Sequence, residues 1–250
     1  SFFKDKAVTQ LLWEKLPVTI SLGLWSTFLI YLIAIPLGIK KAKKNGLLFD
    51  QSTSLFLAVC YAIPSFVFAI VLIVFFAGGS YWQWFPLQGL VSENFAELSF
   101  FSQVKDYLWH MCLPILSMVL GGFATLTYLT KYSFVDELSK PYVLTAKSKG
   151  LTDFQVLYGH VFRNAILIVV AALPEAVIGI FFVGNLFIEI IFNLDGIGLL
   201  GFEAISQRDY PVIFGTLFIF TLFGLILRLI GDLLYQWIDP RIDFQARGGK

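Results

Sequence analysis

Charge is the scarcest commodity in this sequence. Only 14% of its 250 residues are Asp, Glu, Lys or Arg, and the mean hydropathy is +0.79. Soluble domains carry about a quarter charged residues, so a water-facing globular protein is excluded and a polytopic membrane protein is indicated. Cysteine is nearly absent. Cys60 and Cys112, both in apolar surroundings, cannot build a disulfide framework and are read as packing residues. The two histidines, His110 and His160, fall on opposite sides of the membrane in the topology below and cannot share a metal. No G-x-x-x-x-G-K-[ST] phosphate loop, H-E-x-x-H helix or G-x-S-x-G elbow occurs, so neither ATP binding by that route nor a membrane hydrolase is supported. The net charge of +1 gives no footing for nucleic acid.

Long apolar runs are abundant. A bilayer core of about 30 Å needs roughly 20 mostly apolar residues per crossing. Five stretches qualify: Val18–Ile39, Ser54–Ala77, Leu113–Thr130, Ile166–Ile188 and Val212–Leu234. Unpaired backbone is so costly in lipid that each is expected to be an α-helix, which makes the fold class all-α. Pro36, Pro64, Pro114 and Pro174 lie within or at the ends of these runs, where proline kinks helices and frees carbonyls.

The basic residues are sorted by loop. Lys40, Lys41, Lys43 and Lys44 share one loop, and Lys131, Lys140, Lys147, Lys149 and Arg163 share another; Arg241, Arg247 and Lys250 occupy the tail. The opposite side has only Lys4, Lys6, Lys15, Lys105 and Arg208, with Arg228 inside the last run. The positive-inside rule therefore places residues 140–164 and the C-terminus in the cytoplasm and Ser1 outside. A basic start on the outer side implies at least one further apolar helix upstream of Ser1. Of the outer loops, Gly78–Cys112 carries Tyr81, Trp82, Trp84, Phe85 and Trp109, in part an interfacial aromatic belt. Glu189–Pro211 is too short and polar to cross, and reads as a loop with a short helix near the outer surface.

The segment Lys140–Asn164 stands apart as a polar, helix-capable block between apolar runs. Gly150 permits positive φ and divides it into two short helices. Thr152 sits where an N-cap belongs, with Asp153 in the following first turn. Beyond it Phe154, Val156, Leu157, Tyr158 and Val161 form one apolar face. Such a face suits a groove on a soluble partner, or an amphipathic helix resting on lipid.

The string Tyr142-x-x-Thr145-Ala146-x-x-Lys149-Gly150-Leu151, followed by His160-x-x-Arg163-Asn164, resembles the cytoplasmic signature of ABC-importer permeases. Leu144 and Thr145 replace the generic Glu-Ala pair and match the dipeptide/oligopeptide branch instead. Glu189-Ile-Ile-Phe192, Gly196-Ile-Gly198, Arg208-Asp-Tyr-Pro211, Asp232-Leu-Leu-Tyr235 and Asp239-Pro-Arg241 are similar to that branch in the same order. Together with Tyr107-Leu-Trp-His110 and Ile238–Phe244 they resemble the B-type permeases of Yej-type oligopeptide and microcin C importers.

The resemblance implies a type I ABC-importer permease fold, one transmembrane domain over 1–250, in a bacterial inner membrane. It implies a second homologous permease subunit, cytoplasmic ABC ATPases holding ATP and Mg, a periplasmic solute-binding protein and a peptide substrate. No cofactor is expected in this chain. Residues 140–164 would be the coupling segment, with Thr145, Ala146, Lys149, Gly150, Leu151, Asp153, Phe154, His160 and Arg163 as ATPase-coupling residues.

Ionisable groups inside a span are costly and usually face a cavity or a partner. Arg228 and Asp232, four apart, are expected to pair as an intramembrane staple. Glu189, at the outer end of its run, reads as interfacial. Glu175 reads as lining a pathway or bonding a neighbouring helix; Thr125, Thr127 and Asn185 are further candidates, as are Thr27 and Ser65. A rival from another class, an ion-coupled secondary transporter, would use Glu175 as its cation site.

Overall fold

The computed structural model describes residues 1–79, 81–182 and 186–238. Asn185 and the basic tail residues Arg241, Arg247 and Lys250 lie outside that set. Among the described residues every regular element is a helix: α1 (Val8–Lys43), α2 (Leu48–Ala62), α3 (Ser65–Phe76), a 3-10 turn (Phe95–Glu97), α4 (Phe100–Leu138), α5 (Pro141–Ser148), α6 (Asp153–Val156), a π-turn (Leu157–Val161), α7 (Phe162–Ala171), α8 (Leu173–Phe182), α9 (Leu186–Ile191), α10 (Ile197–Gln207) and α11 (Tyr210–Ile238). Among the described residues four helical runs are long and apolar enough to cross a membrane, and five where the bent pair α2–α3 counts as one span, the number expected from the sequence.

The crossings differ from the predicted ones in shape. The second is not a straight helix over Ser54–Ala77: α2 and α3 meet at 94°. Pro64 brings no N–H for the carbonyl of Cys60 and pushes Ile63 into an extended conformation (φ −93°, ψ 121°). α1 and α4 run to 36 and 39 residues, well beyond the predicted Val18–Ile39 and Leu113–Thr130. A hydropathy window ends where charge begins, whereas a helix continues until its backbone is broken. Pro114 sits inside α4 without ending it. The fourth crossing starts at Asp153 rather than Ile166, so the second half of the polar block is the cytoplasmic end of a transmembrane helix. The outer loop holds the expected short helix, α10.

α1 and α4 approach closely because their contact is lined by small residues. A Cβ on Gly38 would sit 2.6 Å from Thr130 Cβ and 2.8 Å from the Thr127 carbonyl oxygen. Thr127 is fully buried here, its hydroxyl donating to the Phe123 carbonyl at 2.8 Å. The pathway role expected of Thr127 gives way to helix packing. Gly38→Leu should separate the two helices and cost about 1–3 kcal/mol, read as a lower thermal midpoint in detergent.

Two charge clusters secure the ends. On the cytoplasmic side Asp50 is held between Lys131 Nζ at 2.7 Å and Lys41 Nζ at 3.0 Å, all three buried. Lys41 also donates to the Asp50 carbonyl, Thr53 Oγ1 and Ser54 Oγ at 2.8–2.9 Å. The lysines that signalled orientation thus also join α1, α2 and α4. On the outer side Glu189 is fully buried, a correction to its interfacial reading. Its carboxylate accepts from the Leu199 N–H at 2.7 Å and from Thr19 Oγ1 at 3.3 Å, while Thr19 Oγ1 accepts from the Ile197 N–H. Glu189 therefore caps the first turn of α10 from a neighbouring helix. Burial pushes its carboxyl above the usual carboxylate range against these hydrogen bonds.

The predicted staple is absent. Arg228 and Asp232 are both exposed on α11, and no ion pair joins them among the described residues. Arg228 lies about 27 Å along the helix from Tyr210. At that depth a long side chain reaches the polar interface unaided, so desolvation does not force a pair.

Candidate functional site

The polar block folds as a helix, a tight turn and a second helix start. α5 ends in a Schellman motif: Leu151 N–H bonds the Ala146 carbonyl and Gly150 N–H bonds the Lys147 carbonyl, at 3.4 and 2.9 Å. Gly150 holds φ +83°, the left-handed conformation that only glycine adopts freely. Leu151, the next residue, packs against the inner core beneath. One residue later Thr152 opens the second helix with a full capping box, accepting from Gln155 N–H while the Gln155 side chain accepts from Thr152 N–H. Gly150, Leu151 and Thr152 therefore make one continuous stop-and-restart signal, as expected for Gly150 and Thr152 from sequence.

The expected apolar face divides in two. Val156, Leu157 and Val161 are buried against Ile39, Phe134, Val143 and Ala146. Phe154 and Tyr158 point outward, 68% and 49% exposed, joined by Leu144 at 67%. Their rings form a ladder, Phe154 to Tyr158 at 4.7 Å and Tyr158 to Phe162 at 5.9 Å. The π-turn at Leu157–Val161 carries this ladder into α7, and such single-turn π features recur at functional positions. Around the apolar pair Thr145, Lys149, Asp153, His160 and Arg163 are all exposed. Asp153 pairs with Lys147 at 2.9 Å across the turn, an exposed pair that solvent screens and that adds little to stability.

Sequence reasoning missed the residue that holds this segment in place. Glu137, the penultimate residue of α4, is 5% exposed. It accepts from Tyr142 Oη at 2.7 Å and Asn164 Nδ2 at 3.0 Å, and pairs with Lys140. The same carboxylate pushes up both the Lys140 ammonium and, together with burial as the larger cause, the Tyr142 phenol. The available signal was position: an acidic residue one turn before a Lys-Pro-Tyr string at the end of an apolar run.

The pathway candidates do not converge. A cavity of about 490 Å³ opens at the α2–α3 bend, lined in part by Thr27, Ser65, Ser26, Tyr61 and Gly121. Thr27 and Ser65 meet there. Thr125 is exposed on α4 and Glu175 on α8; neither lines the cavity, although Ala176 does.

Comparison with known proteins accounts for this arrangement. Residues 34–244 match the family of binding-protein-dependent transport system inner membrane components. Over 247 residues the chain is 56% identical to the inner membrane ABC transporter permease protein YejB of Escherichia coli O157:H7, covering 99% of this chain and 68% of that protein. The peptidoglycan transport system permease protein YejB of Agrobacterium fabrum is equally similar. The oligopeptide transport system permease protein AppB of Bacillus subtilis is 34% identical over 96% of this chain and 74% of its own length. Among solved structures, a chain of the inward-facing MetNI methionine ABC transporter superposes with a TM-score of 0.68 at 14% identity, over 92% of this chain and 97% of that one. That likeness is one of fold and agrees with the type I permease architecture. With an all-helical multi-pass body and a family match over most of its length, the chain belongs to the binding-protein-dependent transport system inner membrane components, the permease subunits of ABC importers.

Proposed function

We propose that this chain is a permease subunit through which peptides or peptide-like compounds, oligopeptides and microcin C-type compounds among them, are drawn into the cytoplasm. ATP and its Mg would be bound and hydrolysed by separate ATPase subunits that dock on residues 140–164. A second related permease completes the pathway, and a periplasmic solute-binding protein delivers the substrate to the outer loops. Relatives named for oligopeptide and dipeptide transport support the substrate class.

The observation that carries the docking role is the outward pair Phe154 and Tyr158 on a doubly capped turn. Exposed aromatics held rigidly and ringed by polar side chains are the usual anchors of a protein interface. A helix resting on lipid would present a continuous apolar stripe; here Val156, Leu157 and Val161 are committed to the chain's own core. Ala146 and Leu151 brace the turn from beneath. Thr145, Lys149, Asp153, His160 and Arg163 form its polar rim. The ion-coupled alternative finds no support, since Glu175 stands exposed outside the cavity and the family is driven through a binding protein.

The test is uptake of a labelled tripeptide by vesicles holding the complete transporter. Uptake that requires the ATPases and survives collapse of the proton gradient supports the proposal. Uptake that persists without them and fails with the gradient defeats it. Within that assay Gly150→Pro, which cannot hold φ +83°, should lower uptake by about tenfold, within the usual 5- to 150-fold range of coupling between sites. Amounts of inserted protein should stay unchanged, because the turn lies outside the crossings.

A further inference from the structure

We infer that Glu137 is the joint that makes the coupling segment and α4 move as one body. The inference rests on the permease reading above and adds a positioning residue to it. Both ends of the segment converge on this one carboxylate. Lys140 and Tyr142 reach it from the beginning of the segment, and Asn164 reaches it from the end, 27 positions along the chain from Glu137 itself. A force applied between those ends, at Phe154 and Tyr158, reaches α4 through this polar clasp as well as through the packing of Val143, Val156, Leu157 and Val161 around Phe134.

The consequence depends on what α4 is. At 39 residues it extends for about 58 Å, longer than the hydrocarbon core is thick. Its inner turns hold the rest of the cytoplasmic face: Lys131 grips Asp50 at the start of α2, and the Ser133 hydroxyl donates to the Ala165 carbonyl of α7 at 2.6 Å. Its outer turns hold the outer loop, where Asp106 accepts from both the N–H and the hydroxyl of Ser92. Helix α4 therefore links the docking face to the outer surface without a break. Glu137 is the only one of these residues that clasps both ends of the segment. Without Glu137 the segment keeps its apolar packing on Phe134 and the Ser133–Ala165 bond but loses the directed polar bonds that tie its two ends to the same point of α4.

A residue that merely stabilised the fold would change the amount of transporter, not the yield of transport per ATP. The measurement is therefore tripeptide accumulated per ATP hydrolysed, in proteoliposomes holding the complete transporter and its binding protein. Glu137→Ala should leave ATP hydrolysis running while the ratio falls at least about fivefold, the lower end of ordinary coupling between sites. Glu137→Gln keeps an acceptor for Tyr142 and Asn164 and should recover most of the ratio. Where Glu137→Ala assembles poorly, Tyr142→Phe combined with Asn164→Ala removes two of the three clasps while Glu137 remains paired with Lys140; the ratio should again fall. An unchanged ratio in assembled Glu137→Ala, or in the double variant, overturns the inference and leaves the permease reading intact. Failure of the unaltered complex to take up tripeptide in an ATP-dependent manner overturns that reading, and this inference with it.

Discussion

Replacing Asp50 with alanine is expected to cost about 3–5 kcal/mol of stability, the range found when one partner of a buried ion cluster is removed. The cluster holds two cations and one anion, all within a tenth of full burial. Without the carboxylate, Lys41 and Lys131 remain as two like charges in a poorly solvated site. Lys41 keeps its bonds to Thr53, Ser54 and the residue-50 carbonyl, which orient the ammonium but do not neutralise it. Lys131 loses its only charged partner among the described residues. The Gly46 N–H, which donates to the same carboxylate at 3.0 Å, loses its acceptor as well, so the α1–α2 turn loosens with the cluster. Lys131→Met should cost markedly less, because it leaves Lys41 and Asp50 as a balanced pair. The check is the thermal midpoint in detergent together with the amount of subunit retained in the membrane. Equal effects for the two variants would mean that charge balance is not what holds this corner.

A side chain at position 196 should be nearly as damaging on the outer side. A Cβ on Gly196 would overlap both the Glu189 carboxyl carbon and Oε1, lying closer than any van der Waals contact allows. The carboxylate has nowhere to retreat. It is fully buried and already bonded to the Leu199 N–H and Thr19. Gly196→Ala therefore displaces the cap of α10, leaving buried donors unpaired at about 1–3 kcal/mol each. Uptake should fail through loss of the outer loop's shape, while ATP hydrolysis at the cytoplasmic face continues.

The same carboxyl gives a pH dependence of known sign. Burial raises its pKa, so the folded chain binds this proton more readily than the unfolded one. The buried charge penalises the fold above the raised pKa. Stability contributed at this site therefore rises as pH falls from there towards the ordinary carboxylate range. Glu189→Gln should remove that rise, as read from thermal midpoints between neutral and mildly acidic pH.

What was legible in the sequence follows from what each signal measures. Hydropathy reports depth in the bilayer, so the apolar runs that cross were readable from hydropathy alone. Turn chemistry is local, so Gly150 and Thr152 were readable too, and they mark the boundary between α5 and α6. Helix ends were not, because α1, α4 and the α6–α8 run continue into water after hydropathy has fallen. Pro64 announced a break but not its 94° angle, which is set by how α3 packs on α4. The division of the apolar face was hidden for a similar reason: helical spacing groups Phe154 with Val156 and Leu157, and only the position of α4 decides which of them is covered. Glu137 was missed because its partners are 3, 5 and 27 residues away, a set that no periodicity groups together. Arg228 and Asp232 had the right spacing for a pair, but spacing permits a pair without requiring one.

The central claim is that residues 140–164 meet an ATPase rather than lipid, and photo-cross-linking tests it most directly. A photoreactive residue placed at Phe154 in the complete, membrane-embedded transporter should form adducts with an ATPase subunit. At Val156, buried one half-turn away, it should form none with that subunit. Adducts from position 154 to lipid, with none to an ATPase, would contradict the account.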